Sequence, residues 1–441
     1  MYGAVVAVKK LTTSIRESIL ADRQFRGLYA ADATSKVGTY VSLVALPVLA
    51  QTVLHAGASQ IGLLTALNTL PFLLIGLHVG AWLDRRHKRG ILIVADLSRA
   101  VLVASIPVTW LFGVLTLAQL YAVAFLSGAM TVFFDIGHLS YLPHVVGRSR
   151  LTSANANLSG LDEIASVSGQ GFGGFVVQLA GPAMAILVDA VSFVSSAIFI
   201  SRIKVSEPTP ERTNRRSLWR EAAIGLRYVL ADPVLRSIAI KGAIANLAGQ
   251  MFLVSFLVLI ITDLGLSAGT LGLVLAAGGV GSFCGALIAP MIGRRLGFGR
   301  GIWIIGMCTS PFALLIGLMN RGALLWIGAG GWVVAAVVFG LENVLGVSIR
   351  QTITPDGMLG RMNSGFRFTF MGALSVGAVA GGVIGSRIGV HTAIWTAAGV
   401  FAVSWLVIFF SPLRPVRRID ELMDRPTSSP VPQQQPKLGF H

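Results

Sequence analysis

Apolar stretches recur from one end of the chain to the other, each about 20 residues long and so able to cross roughly 30 Å of hydrocarbon as a helix. Of the 441 residues, 54% are hydrophobic and 12% are charged, whereas a soluble domain carries about 25% charged residues. The bilayer is the solvent that suits such a chain. Twelve spans are expected, near residues 28–54, 58–82, 91–113, 117–140, 155–179, 182–203, 237–262, 267–292, 301–319, 323–347, 366–387 and 391–412. The segment up to Lys9 and Lys10 lacks the apolar run and small-residue cleavage site of a signal peptide, so the first span is expected to be retained. Cys284 and Cys308 fall inside spans and form no disulfide framework.

A net charge of +16 raises the possibility of nucleic-acid binding, but the placement of the basic residues argues against it. Of the 35 Lys and Arg, 31 lie in segments that alternate spans bring to one face. The exceptions are Lys36 and Arg99 within spans, and Arg321 and Arg387 at the opposite face. The positive-inside rule then puts both termini in the cytoplasm.

Residues 204–236 are the one long polar interruption, with Pro208, Pro210 and the basic group Arg212, Arg215 and Arg216. The expected order is a cytoplasmic segment 1–27, a six-helix bundle 28–203, this linker, a second six-helix bundle 237–413 and a disordered cytoplasmic tail 414–441. Within the linker, Ser217 to Leu230 places apolar residues at helical spacing, which predicts a helix lying along the interface. The halves echo each other. Gly80 to Arg89 follows the second span as Pro290 to Arg300 follows the eighth, and Leu142-Pro143 with Arg150 to Asn155 is matched by Thr354-Pro355 with Gly360 to Asn363. Parallel repeats of this size build rocking-bundle transporters.

With these residues in place the chain resembles the major facilitator superfamily, and within it the drug and siderophore exporters, over about residues 24–413. The resemblance is carried most specifically by the loop after span two, where Gly80, Asp84, Arg85, Lys88 and Arg89 match the superfamily pattern, with His87 where glycine is usual. Asp96 and Arg99 in span three, Leu142-Pro143, Ala154-Asn155 and Gly360-Arg361 support it. In span five, Gly169, Gln170, Gly173 and Gly174 resemble the glycine signature of family antiporters, with Gln170 in the proline position. A helix without that ring keeps a hydrogen bond and is less kinked.

The resemblance implies an all-α membrane protein of twelve helices in two pseudo-symmetric bundles. It implies a monomeric carrier in the bacterial cytoplasmic membrane, without a cofactor, exporting a lipophilic small molecule in exchange for protons. It further implies that Asp84 and Arg85 latch span two to span eleven in one conformation and that the span-five glycines close the external gate. Asp96 and Arg99, three apart near the cytoplasmic start of span three, are expected to form a charge network at the inner gate with the basic loop and Arg361. Plain helix packing explains the glycines equally well.

Ionisable residues within spans cost about 2.5–3.5 kcal/mol each on insertion scales, so they mark cavities or partners. Most lie in the first half: Asp32, Lys36, Asp96, Arg99, Asp135, Asp162, Glu163 and Asp189. The second half offers Glu342, with Lys241 and Arg367 near its cytoplasmic edge, and is expected to be largely apolar. Asp162 and Glu163 lie roughly 11–15 Å deep at 1.5 Å per residue, near the midplane; adjacent helix positions diverge, so one of them is expected to face the cavity. Asp32 and Lys36, four apart, share a face. These four are the candidates for proton coupling, and an ion-pairing or hydrogen-bonding role is the alternative. His78 and His138 read as packing residues. No nucleotide-binding loop, metal-ligand spacing or hydrolase motif occurs. Uptake and a non-transporting scaffold or lipid-handling protein are the competing functions.

Overall fold

A computed structural model of the protein describes residues 19–84, 86–147, 150–205, 218–355, 358–418 and 421, with the backbone only for residues 77, 80, 81, 84, 152 and 218–223. The first half comprises α1 (Arg23–Leu54), α2 (Ala58–Asp84), α3 (Lys88–Leu111), α4 (Leu117–Val146), α5 (Leu151–Ala180) and α6 (Pro182–Ser201). Next comes a 14-residue helix, α7 (Leu218–Ala231). The second half comprises α8 (Pro233–Val258), α9 (Ala268–Leu296), α10 (Phe298–Leu314), α11 (Ala323–Ile353), α12 (Leu359–Arg387) and α13 (Val390–Val403), with a short α14 (Leu406–Phe409). The twelve expected spans are thus α1 to α6 and α8 to α13, the last completed by α14. Eleven have the length and apolarity to cross a membrane. The twelfth, α5, is 30 residues long and carries Asp162, Glu163 and many small polar residues. Asp162 is met inside the protein by Lys36, while Ser153, Asn155, Ser159 and Ser168 are exposed.

Local chemistry sets the helix ends. The Asp22 carboxylate accepts the N–H groups of Gln24 and Phe25 ahead of α1, and Asp232 accepts those of Val234 and Leu235 ahead of α8, where Pro233 takes the first turn. Each half therefore opens with the same cap, and α1 and α8 begin several residues before the hydropathy edges at 28 and 237. Gly147, Gly181 and Gly297 close α4, α5 and α9 at φ of 75°, 84° and 92°, a region other residues enter only with strain.

The duplication seen in the loops extends to packing. In the first half α1 packs on α5 and α6, α2 on α4, and α3 on α4 and α6. The equivalent pairs recur in the second half: α8 on α12 and α13, α9 on α11, and α10 on α11 and α13. The halves meet chiefly through α2 against α12 and α5 against α9, again an equivalent pair of contacts. Both crossings rest on glycine. A Cβ at Gly272 would meet the Gln170 carbonyl at 2.7 Å and Gly174 Cα at 2.9 Å, and one at Gly382 would meet the Ala58 carbonyl at 2.8 Å and Gly62 Cα at 3.0 Å. Both lie toward the face opposite the start of α1. On the face that carries the start of α1, hereafter the basic face, α7 packs on α12 and touches α2, so it bridges the junction of the halves.

Inside the first half, Asp96 and Arg99 of α3 are buried and paired. The guanidinium lies between the rings of Phe134 on α4 and Phe193 on α6, at 4.4 and 4.3 Å. An ammonium would not fill that slot, because only a planar cation stacks on two rings at once.

Two outcomes follow. Gly272→Ala strains the α5–α9 crossing by about 1–3 kcal/mol, which moves the population away from this conformation by roughly 5- to 150-fold; spin-label distances between the far ends of α5 and α9 are expected to lengthen. Asp96→Asn leaves Arg99 buried without its counter-charge, a loss of about 3–5 kcal/mol, read as a fall in melting temperature in detergent.

Candidate functional site

Lys36 stands at the centre of the site. On α1 its ammonium lies 3.5 Å from Asp32, one turn earlier, and 2.7 Å from Asp162 on α5. Helical spacing makes the first contact; the second depends on α1 and α5 packing closely. Gly169 and Gly173 allow that approach, since a Cβ at Gly173 would sit 2.9 Å from Val41 Cα and one at Gly169 2.9 Å from the Val37 carbonyl. Asp32 is 4% exposed, whereas Lys36 and Asp162 are half-buried. Tyr40, a further turn along α1, faces Asp162 and Ser166.

Tyr40, Asp162, Glu163 and Ser166 form one wall of a cavity of about 320 Å³ between the halves, with Lys36 and Asp32 behind Asp162. Asp162 and Glu163 both line it, contrary to the expectation that only one would. The cavity is wide enough to take in neighbouring positions of α5, about 100° apart on a helix. The second half supplies the opposite wall, aromatic and carboxamide in character: Trp332 and Phe339 of α11, Asn246 and Gln250 of α8, and Phe401 of α13. Trp332 packs 4.6 Å from Phe252, and its indole N–H is buried without an acceptor among the described residues. The cavity therefore offers carboxylates on one side, flat apolar surface on the other, and a free donor.

Charge also joins the halves directly. Arg367 of α12 bonds Asp135 of α4 at 2.9 Å and lies 4.7 Å from the Phe72 ring on α2. One turn from Asp135, His138 is buried and stacked on Phe134. The expected inner-gate set divides: Asp96 and Arg99 belong to the core of the first half, enclosed by two aromatic rings. Arg361 sits at the head of α12, where its backbone meets Gly225 of α7. The cross-half pair is Asp135 with Arg367, which sequence spacing does not signal because 232 residues separate them.

Of the loop after α2, Gly80 and Asp84 lie in the α2 backbone, while their side chains and Arg85 fall outside the described residues. Lys88 opens α3. Arg89 donates to the carbonyls of Ile200, at 3.3 Å, and Ser201, so it caps the negative end of α6. The span-five glycines face two ways. Gly169 and Gly173 pack on α1, Gly174 packs on Gly272 across the halves, and Gln170 turns its amide to Ser166 at 2.9 Å.

The second half proves less apolar than expected. Lys241 of α8 and Glu342 of α11 are buried and paired. They line a second cavity, of about 250 Å³, on the basic-face side of the first. Sequence reasoning placed Glu342 within its span and Lys241 near the cytoplasmic edge and missed the pairing, which joins residues 101 positions apart. Tyr40 and the aromatic wall were also missed, although Tyr40 repeats the four-residue spacing of Asp32 and Lys36.

Comparison with known proteins fits this architecture. Residues 17–437 match the family described as transmembrane secretion effector. The multidrug efflux pump Tap of Mycolicibacterium fortuitum is 30% identical over 232 residues, 50% of this chain; the chain spans only 55% of Tap. The enterobactin exporter EntS of Salmonella choleraesuis (strain SC-B67) is 26% identical over 345 residues, covering 77% of this chain and 80% of EntS. Among solved structures, a bacterial homologue of the iron transporter ferroportin in the inward-facing state superposes with a TM-score of 0.70 at 17% identity, over 93% of this chain and all of the other. The chain belongs to the transmembrane secretion effector family of the major facilitator superfamily, and it is a multi-pass membrane transporter.

Proposed function

We propose that the protein exports a lipophilic, cationic small molecule across the cytoplasmic membrane in exchange for protons, as a monomer with both termini in the cytoplasm. The observation that carries this reading is the charge count around Lys36. One ammonium faces the carboxylates of Asp32 and Asp162, and Glu163 shares the same cavity wall. In a medium of low dielectric such an excess of negative charge is costly. A proton on one acid reduces it, and so does a cationic substrate. The two compete for the same deficit, which is the condition for exchange.

The aromatic wall supports a lipophilic substrate with a flat or cationic part, since rings favour both. Tap is named a multidrug efflux pump and EntS an enterobactin exporter, and both names agree with outward movement of small molecules. The basic residues on the face bearing the termini support a cytoplasmic location for them. Alternating access would proceed by rocking one half on the other about the α2–α12 and α5–α9 crossings. Asp135 with Arg367, and the Asp84 loop, would act as latches on the basic face.

The test uses everted membrane vesicles with an imposed pH gradient and a pH-sensitive dye. Adding ethidium, rhodamine 6G or tetraphenylphosphonium is expected to dissipate the gradient in vesicles containing the protein and not in control vesicles. Asp162→Asn with Glu163→Gln is expected to abolish the response. Gradient dissipation that persists in a variant also lacking Asp32 overturns the coupling. Substrate accumulation in intact cells would favour uptake, and the absence of movement across a full panel of cytotoxic compounds would favour a scaffold.

A further inference from the structure

The second cavity differs in sign from the first. Its polar groups come from α8 and α11: Lys241, Asn246, Glu342, Asn343 and Arg350. Lys241 and Glu342 neutralise each other, being paired and buried together. Arg350 is left over. Its guanidinium lies 4.8 Å from the Phe366 ring, its Nε is a buried donor without an acceptor, and it has no carboxylate partner among the described residues. An unmatched guanidinium on a cavity wall, held in place by a ring, is a receptor for an anion with two oxygens to offer.

The two cavities are continuous along their walls, sharing Ala245 and Asn246 of α8 and Phe339 of α11. One elongated molecule can therefore touch both. We propose that Arg350 forms a second substrate subsite, which takes an anionic group such as a carboxylate, sulfonate or phosphate ester, so that the transported class is amphoteric. Its aromatic body lies between Trp332 and Phe339, its positive end faces Asp162 and Glu163, and its acid reaches Arg350. This refines the efflux reading and rests on it. An acid at this position also explains why Lys241 is matched by Glu342 while Arg350 is not: a site already neutral has nothing to offer a charged group, and a site with two free cations would hold an acid too tightly to release it.

The experiment measures binding by the purified full-length protein in lipid nanodiscs, by fluorescence anisotropy, with empty nanodiscs as the blank. The probes are rhodamine B, which carries a free carboxylate, and its ethyl ester, which keeps the cationic ring system and loses the acid. The unsubstituted protein is expected to bind the acid more tightly than the ester. Arg350→Gln is expected to weaken the acid by roughly 10- to 100-fold, the range for losing a hydrogen bond to a charged group, and to leave the ester unchanged. Arg350→Lys restores part of the loss. Equal weakening of acid and ester, an unchanged affinity for the acid in Arg350→Gln, or failure of the unsubstituted protein to bind the acid overturns the proposal. Binding requires no gradient, so these failures are distinct from loss of proton exchange in vesicles, which faults the coupling and leaves Arg350-dependent binding intact.

Discussion

A charge placed in hydrocarbon needs a partner, and the ion pairs of this protein show how far the chain goes to provide one. Asp96 is matched by Arg99, Lys241 by Glu342 and Asp135 by Arg367. The first two are buried and each lies within one half: Asp96 with Arg99 on a single helix, where Arg99 stacks on rings of two others, and Lys241 with Glu342 between α8 and α11. The third is half-exposed and crosses the halves. Depth and location separate the roles: breaking a buried pair strands a charge at high cost, whereas a partly solvated pair exchanges partners cheaply. Only the second kind suits a contact that must open and close in each transport cycle.

Lys36 departs from this one-to-one matching. It serves Asp32 and Asp162 together, and Glu163 adds a third acid to the neighbourhood. In the second half Arg350 is the reverse case, a cation with no acid beside it among the described residues. The two unmatched sites lie on opposite halves and on the walls of two adjoining cavities. Helices that carry them pack on neighbours through glycine, so that the halves contact each other over backbone as much as side chain. Such contacts are tight and have few interlocking side chains to disengage, a suitable hinge for rigid-body motion.

Sequence reasoning recovers what is local. Span length and apolarity locate the twelve helices, and i to i+4 spacing brings Asp32 and Lys36 together. The loop echoes foretell the repeated packing of the two halves. The span read at 155–179 corresponds to α5, the helix that Asp162, Glu163 and its small polar residues make the least apolar of the twelve. What is not local stays hidden. The contact of Lys36 with Asp162 depends on where α5 crosses α1, and the slot for Arg99 needs rings from α4 and α6. Lys241 with Glu342 and Asp135 with Arg367 join helices far apart in the chain, and no pattern along one helix reports them. The cavity facing of both Asp162 and Glu163 was missed for a related reason: helical periodicity gives the angle between two side chains but not the width of the space they face.

The central claim is that a proton and a cationic substrate share one negative site around Lys36. The most direct measurement is proton release on binding, followed with a pH indicator in weakly buffered solutions of purified protein as an exported cation is added. The proposed exchange predicts that substrate binding expels protons, and that Asp162→Asn with Glu163→Gln removes the release. Binding with no proton released by the unsubstituted protein, across the pH range in which it transports, would contradict it.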